Sequence, residues 1–298
     1  MDRISQRYKI SKTKIIDMIG MVHSSYYRTP SLGKKGNKAS ELTYNKTEGW
    51  VSQETVLLAV KAFLGHEFID CGYRLMASYL KRDGYVINHK KLYRIMGEAG
   101  LLKPENRINR GGSGRKFVKF RKVVTSRPFE CLEMDIKMVW IPDTGKNAYL
   151  LSIIDVHTRR ILKDYFSFSI KQDKVIAFLS QVLQDYQHPK SVVVRSDNGS
   201  QFIAINVREY LEMIGVEQEF THVATPEENA HIEAYHGILK KEVFERVDYR
   251  SFGEIETILK KYVVFYNNIR LHGLLGRITP MDKWNLDEHL ILMRKLTA

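Results

Sequence analysis

The segment Ser191–Phe202 constrains the fold most, because it joins the pattern of a buried strand directly to a carboxylate in a tight turn. Its β-branched run from Val192 to Val194 predicts a strand, and Asp197 follows in an Asp-Asn-Gly sequence typical of turns. A carboxylate at the carboxyl end of a strand faces the crevice where α/β sheets bind ligands. The segment therefore predicts an α/β sheet with a polar site at one edge.

The residues around this segment predict the rest of that sheet. Three strand patterns precede it, at Leu132–Met138, Tyr149–Val156 and Ile161–Phe168. Alternating helices and strands are predicted at Lys171–Tyr186, Val192–Arg195, Ile203–Ile214, Val216–Phe220, Glu228–Phe244 and Phe252–Ile269. Hairpin strands followed by alternating helices and strands predict a mixed α/β sheet flanked by helices.

The N-terminal part of the chain is helical and basic. Residues 1–50 carry ten Lys and Arg against four acids, with a short helix predicted at Lys12–Met21. Residues 51–102 have helical spacing, interrupted where Gly84 ends one helix and Asn88 caps the next. This pattern predicts a small all-helical domain of helix-turn-helix character.

Two further boundaries follow from composition. Residues 103–124 predict a basic linker, with eight Lys and Arg, one acid and a glycine-rich hinge. Such a charge run is either a solvated tether or a phosphate contact. We expect the domain that carries the α/β sheet at residues 125–285 and a C-terminal tail at residues 286–298.

The composition narrows the class of partner. A formal net charge of +13 favours a polyanion, and 44% hydrophobic residues are typical of a globular chain. Two cysteines are too few for a disulfide framework or a Cys-rich zinc site. No apolar run is long enough to span a membrane and no secretion signal is visible, so we expect no membrane partner and a cytoplasmic protein.

Three carboxylates on the predicted elements, Asp135, Asp197 and Glu233, suggest a divalent-metal site. Each of these carboxylates also has an interpretation that involves no metal. Asp135 can pair with Lys137 on a solvated strand face, and alternation does not choose it over Glu133. Asp197 can bond the backbone of its turn, and Glu233 can be a surface glutamate on a helix. As a set, oxygen ligands of this kind suit Mg²⁺, and two such ions can promote phosphodiester chemistry.

Several segments resemble one family. Asp135, Asp197–Phe202 and Glu233 resemble the DDE catalytic core shared by retroviral integrases and bacterial insertion-sequence transposases, in particular the OrfB type. The supporting segments are Gly72–Tyr85, Asn88–Leu102, Thr225–Glu233, Tyr266–His272, Leu275-Gly276 and Thr279-Pro280. The resemblance extends from about Val22 to Trp284.

The resemblance implies a ribonuclease-H-like fold and a transposase that cleaves element ends and joins them through a DNA 3′-OH. It makes Asp135, Asp197 and Glu233 the ligands of two Mg²⁺ or Mn²⁺ ions. The expected partners are double-stranded DNA, as terminal inverted repeats and target, and further copies of the chain. An upstream-frame helix-turn-helix protein, fused or associated, is a further expected partner. The expected location is the bacterial cytoplasm, at the nucleoid.

Nine residues are candidates for DNA contact. They are His236, Lys240, Lys241, Asn198, Arg270, His272, Lys90, Lys91 and Arg94. Lys240 resembles a basic position of the family near the cleaved DNA end. Arg270 and His272 can equally pack the last helix, and Lys91 and Lys241 can be solubility charges.

Three other functions compete with transposition. One is a non-catalytic, sequence-specific DNA-binding regulator built on a helix-turn-helix at residues 71–97. Another is a tyrosine recombinase, since His157–Arg160 offers an H-x-x-R sequence, although it follows Asp155 as a strand turn. The third is a plain nuclease of the same fold.

Overall fold

The computed structural model describes residues 1–27, 40–104, 123–185, 192–222 and 226–293. The chain divides into two compact units, Met1–Glu41 and Leu42–Ala298. Most of the predicted basic linker lies outside the described residues, as do Ser191, Thr225 and the end of the predicted tail.

The first unit contains three short helices. They are α1 (Asp2–Tyr8), α2 (Lys12–Met18) and α3 (His23–Tyr27). The predicted helix at Lys12 is confirmed but ends earlier, and α1 was not predicted. Ser11 begins α2 by accepting a hydrogen bond from the backbone N–H of Lys14.

The second unit begins with the predicted helical segment. Its helices are α4 (Gln53–Leu64), α5 (Tyr73–Arg82) and α6 (His89–Glu98), which confirms three helices. Asn88 caps α6 by accepting from the Lys90 N–H, and Gly84 has a φ of 90°. An antiparallel sheet of order β2-β1-β3 was not predicted, because its strands are too short for a pattern: β1 (Thr43–Asn45), β2 (Gly49–Val51) and β3 (Tyr85–Val86).

A five-stranded sheet of order β6-β5-β4-β7-β8 forms the centre of the unit. Its strands are β4 (Cys131–Ile141), β5 (Lys146–Asp155), β6 (Ile161–Ser167), β7 (Val193–Ser196) and β8 (Glu217–Phe220). Strands β4, β5 and β6 are antiparallel neighbours, whereas β7 and β8 continue the sheet in parallel with β4. The predicted hairpin strands and mixed α/β sheet are confirmed.

Helices flank this sheet. They are α7 (Gln172–Asp185), α8 (Ile205–Met213), α9 (Ala230–Leu239), α10 (Phe252–Asn268), α11 (Pro280–Asp287) and α12 (His289–Met293). The single helix predicted at Glu228–Phe244 is divided, because α9 follows a 3₁₀ turn and passes into a π-helical turn at Lys240–Phe244. Across the part of the chain that the structure describes, no helix is long and apolar enough to cross a membrane.

Two hydrophobic cores lie on opposite faces of the sheet. On one face, Leu132, Met134 and Leu151 pack with α7 and α8. On the other face, Leu150 and Ile154 share a core with α9, α10 and the helices α4–α6. Because α4–α6 pack into the same core as α9, the helical segment is anchored to the element that carries Glu233.

Candidate active site

Strand pairing brings Asp135 and Asp197 to neighbouring positions. Strands β4 and β7 are parallel, and Glu133 is paired with Arg195. Asp135 lies two residues beyond Glu133, and Asp197 lies two residues beyond Arg195, just past the end of β7. Since side chains alternate along a strand, Asp135 shares the face of Glu133, and Asp197 lies in the turn that follows β7 at the same edge of the sheet.

The structure distinguishes Asp135 from Glu133, which strand alternation does not. The Glu133 carboxylate is fully buried and accepts hydrogen bonds from the backbone N–H groups of His231 and Ile232, at 2.9 and 3.0 Å. It also lies 2.6 Å from Nδ1 of His231. Glu133 therefore stabilises the N-terminus of α9, where orphan N–H groups and the helix dipole favour a carboxylate.

Glu233 lies in the first turn of α9 and is exposed. The residues around it tie this helix to β4, since His231 contacts Glu133 and Nδ1 of His236 lies 3.2 Å from Oδ2 of Asp135. Helix α9 therefore lies against the face of β4 that bears Asp135, and Glu233 precedes His236 on this helix by three residues. Glu233 and His236 differ in environment, because His236 is buried.

We expect Glu133→Ala to lower the free energy of unfolding by about 2–4 kcal/mol, because two backbone N–H groups of α9 and His231 lose their buried partner. Glu133→Gln keeps an acceptor oxygen and should cost less. Urea unfolding of both variants measures the difference. Equal stability of Glu133→Ala and the parent chain would contradict this capping role.

Asp197 is exposed and takes part in its own turn. Its Oδ1 accepts a hydrogen bond from the Gly199 N–H at 3.0 Å, as the turn alternative predicts. A Cβ built on Gly199 would lie 3.0 Å from the same oxygen, so a side chain there would crowd the carboxylate. A carboxylate has two oxygens, so this bond leaves Oδ2 of Asp197 for another partner.

The three carboxylates do not form an assembled coordination shell. Within the described ranges, no group of three His, Cys, Asp or Glu side chains is placed to hold a metal ion. Asp135 is instead within reach of His236, and Asp197 is bonded to Gly199. The donor chemistry nevertheless fits a hard divalent cation, because all three side chains offer carboxylate oxygens.

Basic side chains adjoin Asp135. Lys240 is exposed on the π-helical turn, with Nζ 3.7 Å from Oε1 of Glu245, and Lys241 beside it is also exposed. Burial lowers the pKa of Lys137, the positive charge of Lys240 lowers it further, and the Asp135 carboxylate raises it. Lys137 was not predicted as a functional cation. Its position two residues after Asp135, on the same face of the strand, is the sequence feature that could have identified it.

Several of the predicted DNA contacts are engaged within the protein. His236 is only 5% exposed, and the Asn198 amide donates to the Thr221 carbonyl at 2.9 Å. Arg270 donates to the buried Glu242 carboxylate from Nε at 3.0 Å and Nη2 at 2.9 Å. Burial and nearby guanidinium charges lower the pKa of His272 to about 3, so its ring is neutral. Arg270 and His272 therefore pack within the protein, which is the alternative to DNA contact given above for these two residues.

A cleft of about 490 Å³ lies between the N-terminal ends of α5 and α6. Its lining combines three cations with three aromatic rings and Leu102: Gly72, Tyr73, Arg74, His89, Lys90, Tyr93, Leu102 and Lys103. Lys90 belongs to this cleft, whereas Lys91 donates to the Leu42 carbonyl and Arg94 bonds Glu98. Cations beside exposed aromatic rings are typical of surfaces that bind nucleic acid.

The His157–Arg160 sequence does not form a recombinase site. Nε2 of His157 lies 2.6 Å from Oδ2 of Asp287, and the Arg160 guanidinium stacks 4.5 Å from the Trp284 ring centre. Asp155 accepts from the N–H and hydroxyl of Thr158, which forms the predicted turn. These side chains fix the turn to α11.

The mixed sheet, its flanking helices and the carboxylate-bearing edge define an α/β fold of the ribonuclease-H-like class. Two family models described as "Integrase core domain" match residues 125–226 and 214–280, and together they span more than half of the chain. A third model, "HTH-like domain", matches residues 57–107, which contain α4–α6.

Proteins of bacterial insertion sequences are also similar to this chain. A putative transposase InsK for IS150 of Escherichia coli K12 is 27% identical over 228 residues, covering 72% of this chain and 77% of the relative. The transposase for IS629 of Shigella sonnei is 23% identical over 288 residues, and the match covers 95% of this chain and 93% of the relative. The chain belongs to the insertion-sequence DDE transposases, which are enzymes of the polynucleotidyl transferase type.

A solved structure of the HTLV-2 integrase catalytic core domain in complex with magnesium is also similar. It is 12% identical, with a TM-score of 0.40, and the match covers 52% of this chain and 95% of that chain.

Proposed function

We propose that this transposase cleaves the ends of a mobile DNA element and joins them to target DNA by two-metal-ion chemistry. Asp135, Asp197 and Glu233 are the proposed ligands of two Mg²⁺ or Mn²⁺ ions. The observation that supports the proposal is the parallel register of β4 and β7, in which Asp135 and Asp197 each follow a paired residue by two positions, together with the contact of α9 with Asp135 through His236.

The protein's contribution to the chemistry is mainly positional. Bound cations would activate the attacking oxygen and stabilise the leaving one in an in-line displacement. Glu133 and His231 fix the start of α9, so that Glu233 is presented from a rigid helix.

DNA is the proposed polyanionic partner. Lys240 and Lys137 would contact phosphates near the carboxylates, and the cleft with Lys90 would contact the terminal repeat. The segments 1–50, 51–102 and 103–124 are proposed as DNA-binding regions in front of a core at 125–285. We further propose assembly of several copies on DNA, association or fusion with an upstream helix-turn-helix protein, and action at the nucleoid.

Incubation of the protein with the flanking element ends and Mg²⁺ tests this function directly. Strand-joined products that disappear with EDTA would support it. Binding to ends without cleavage would favour the non-catalytic regulator, and cleavage without joining would favour a plain nuclease.

We expect Lys240→Ala to weaken binding to element ends and to flatten the salt dependence. Each phosphate contact contributes a slope of about −0.9 to log K against log salt on duplex DNA, so one lost contact reduces the slope by about that amount. Fluorescence anisotropy at several salt concentrations measures it.

Lys260→Ala is the matched control, because Lys260 is also exposed and also forms an exposed ion pair, with Glu256 at 3.0 Å. The control should bind ends with the slope of the parent chain. An unchanged slope for Lys240→Ala would exclude Lys240 from phosphate contact.

A further inference from the structure

A row of three polar side chains crosses one face of the central sheet. Asp135 on β4 is paired with Ser152 on β5, and Ser152 is paired with Asp164 on β6. Side chains directly opposite each other in a sheet point to the same face. Ser152 lies between Leu150 and Ile154 on this face, and both are fully buried. The row therefore runs from the candidate active site into the core.

Helix α9 covers this row with two consecutive residues. The Tyr235 hydroxyl donates to Oδ2 of Asp164 at 2.8 Å, and Nδ1 of His236 lies 3.2 Å from Oδ2 of Asp135. Tyr235 is fully buried and His236 is nearly so. Because a carboxylate accepts, the tautomer that satisfies the contact carries its proton on Nδ1 of His236.

This arrangement is costly for the fold. Among the described residues, Ser152 Oγ, Asp164 Oδ1 and His236 Nε2 are buried without a hydrogen-bond partner. Burial raises the pKa of Asp164, and the hydroxyl groups of Ser152 and Tyr235 beside it lower that pKa. A buried polar atom that lacks a hydrogen bond destabilises the fold, so an apolar row would stabilise the sheet more. The polar row therefore points to a role other than stability.

We propose that His236 is a positioning residue for Asp135. Its Nδ1 holds Oδ2 of the carboxylate, which would leave Oδ1 available to a metal ion. The bond from Tyr235 to Asp164 fixes the rotation of α9 and so fixes the His236 ring. This inference rests on the proposed role of Asp135 as a metal ligand, and it replaces DNA contact as the role of His236.

Titration of the full chain with Mn²⁺ in the absence of DNA, followed by water proton relaxation, tests the proposal. Loss of a group that orients a metal ligand costs about 10–100-fold in metal affinity. We expect His236→Leu to weaken Mn²⁺ binding by about that factor. His236→Asn, whose amide can donate in place of Nδ1, should recover most of it.

Tyr235→Phe and Tyr262→Phe form a matched pair of variants. Each removes a buried hydroxyl that donates to a carboxylate at 2.8 Å, Asp164 for Tyr235 and Glu242 for Tyr262. Only Tyr235→Phe should weaken Mn²⁺ binding, because only its partner belongs to the polar row. Comparable melting temperatures for the two variants would show that stability is not the cause.

The outcomes separate this inference from the proposed function. If Asp135→Asn weakens Mn²⁺ binding but folded His236→Leu and Tyr235→Phe do not, positioning by His236 is wrong. If His236→Leu does not fold, parent-like affinity in Tyr235→Phe overturns the proposal in the same way. If Asp135→Asn itself binds Mn²⁺ normally, the proposed metal site fails.

Discussion

Asp197→Asn is expected to abolish Mg²⁺-dependent cleavage and joining while leaving binding to element ends intact. A catalytic metal contributes several kcal/mol to the transition state, and each 1.36 kcal/mol is a factor of ten, so the expected loss is on the order of 10³-fold or more. The asparagine oxygen can still accept from the Gly199 N–H, so the turn should persist. Gel assays of cleaved and joined strands measure the loss.

Asp143→Asn provides the control for this variant. Asp143 is exposed in the turn after β4, beyond the end of the strand that is distant from Asp197. The Asp143→Asn variant makes the same chemical change outside the proposed site. Its activity should therefore equal that of the parent chain. Undiminished joining by Asp197→Asn would remove Asp197 from the metal site.

Arg270→Ala is expected to produce the largest loss of stability, about 3–5 kcal/mol in the free energy of unfolding. Glu242 is only 9% exposed and accepts from Arg270 and from the Tyr262 hydroxyl. Removing the guanidinium leaves that carboxylate buried without its countercharge. Urea unfolding measures the loss, and DNA affinity per folded molecule should not change.

A double variant separates the loss of the ion pair from the cost of leaving Glu242 buried without its countercharge. Replacing Arg270 and Glu242 together by leucine removes both charges, and buried ion pairs exchanged for apolar residues are often close to neutral. We therefore expect Arg270→Leu/Glu242→Leu to recover part of the stability lost in Arg270→Ala. A fall in DNA affinity at unchanged stability would instead make Arg270 a DNA contact.

Much of the fold follows from local sequence. The alternation at Leu132–Met138 predicted β4, and the turn chemistry at Asp197 predicted both the end of β7 and the backbone bond to Gly199. Asn88 predicted the start of α6 because an N-cap acts within one helical turn. These features depend on residues only a few positions apart, so short-range periodicity and capping were sufficient to predict them.

The roles of the buried polar side chains depended on tertiary packing. Alternation placed Glu133 and Asp135 on one strand face, but only the arrival of α9, about a hundred residues later, assigned Glu133 to the helix N-terminus. The same packing turned His236 toward Asp135, and α10 brought Arg270 to Glu242. Sequence alone determined which elements form and which faces carry polar groups. The tertiary structure decided which buried charge meets which partner, because that depends on how distant elements pack together.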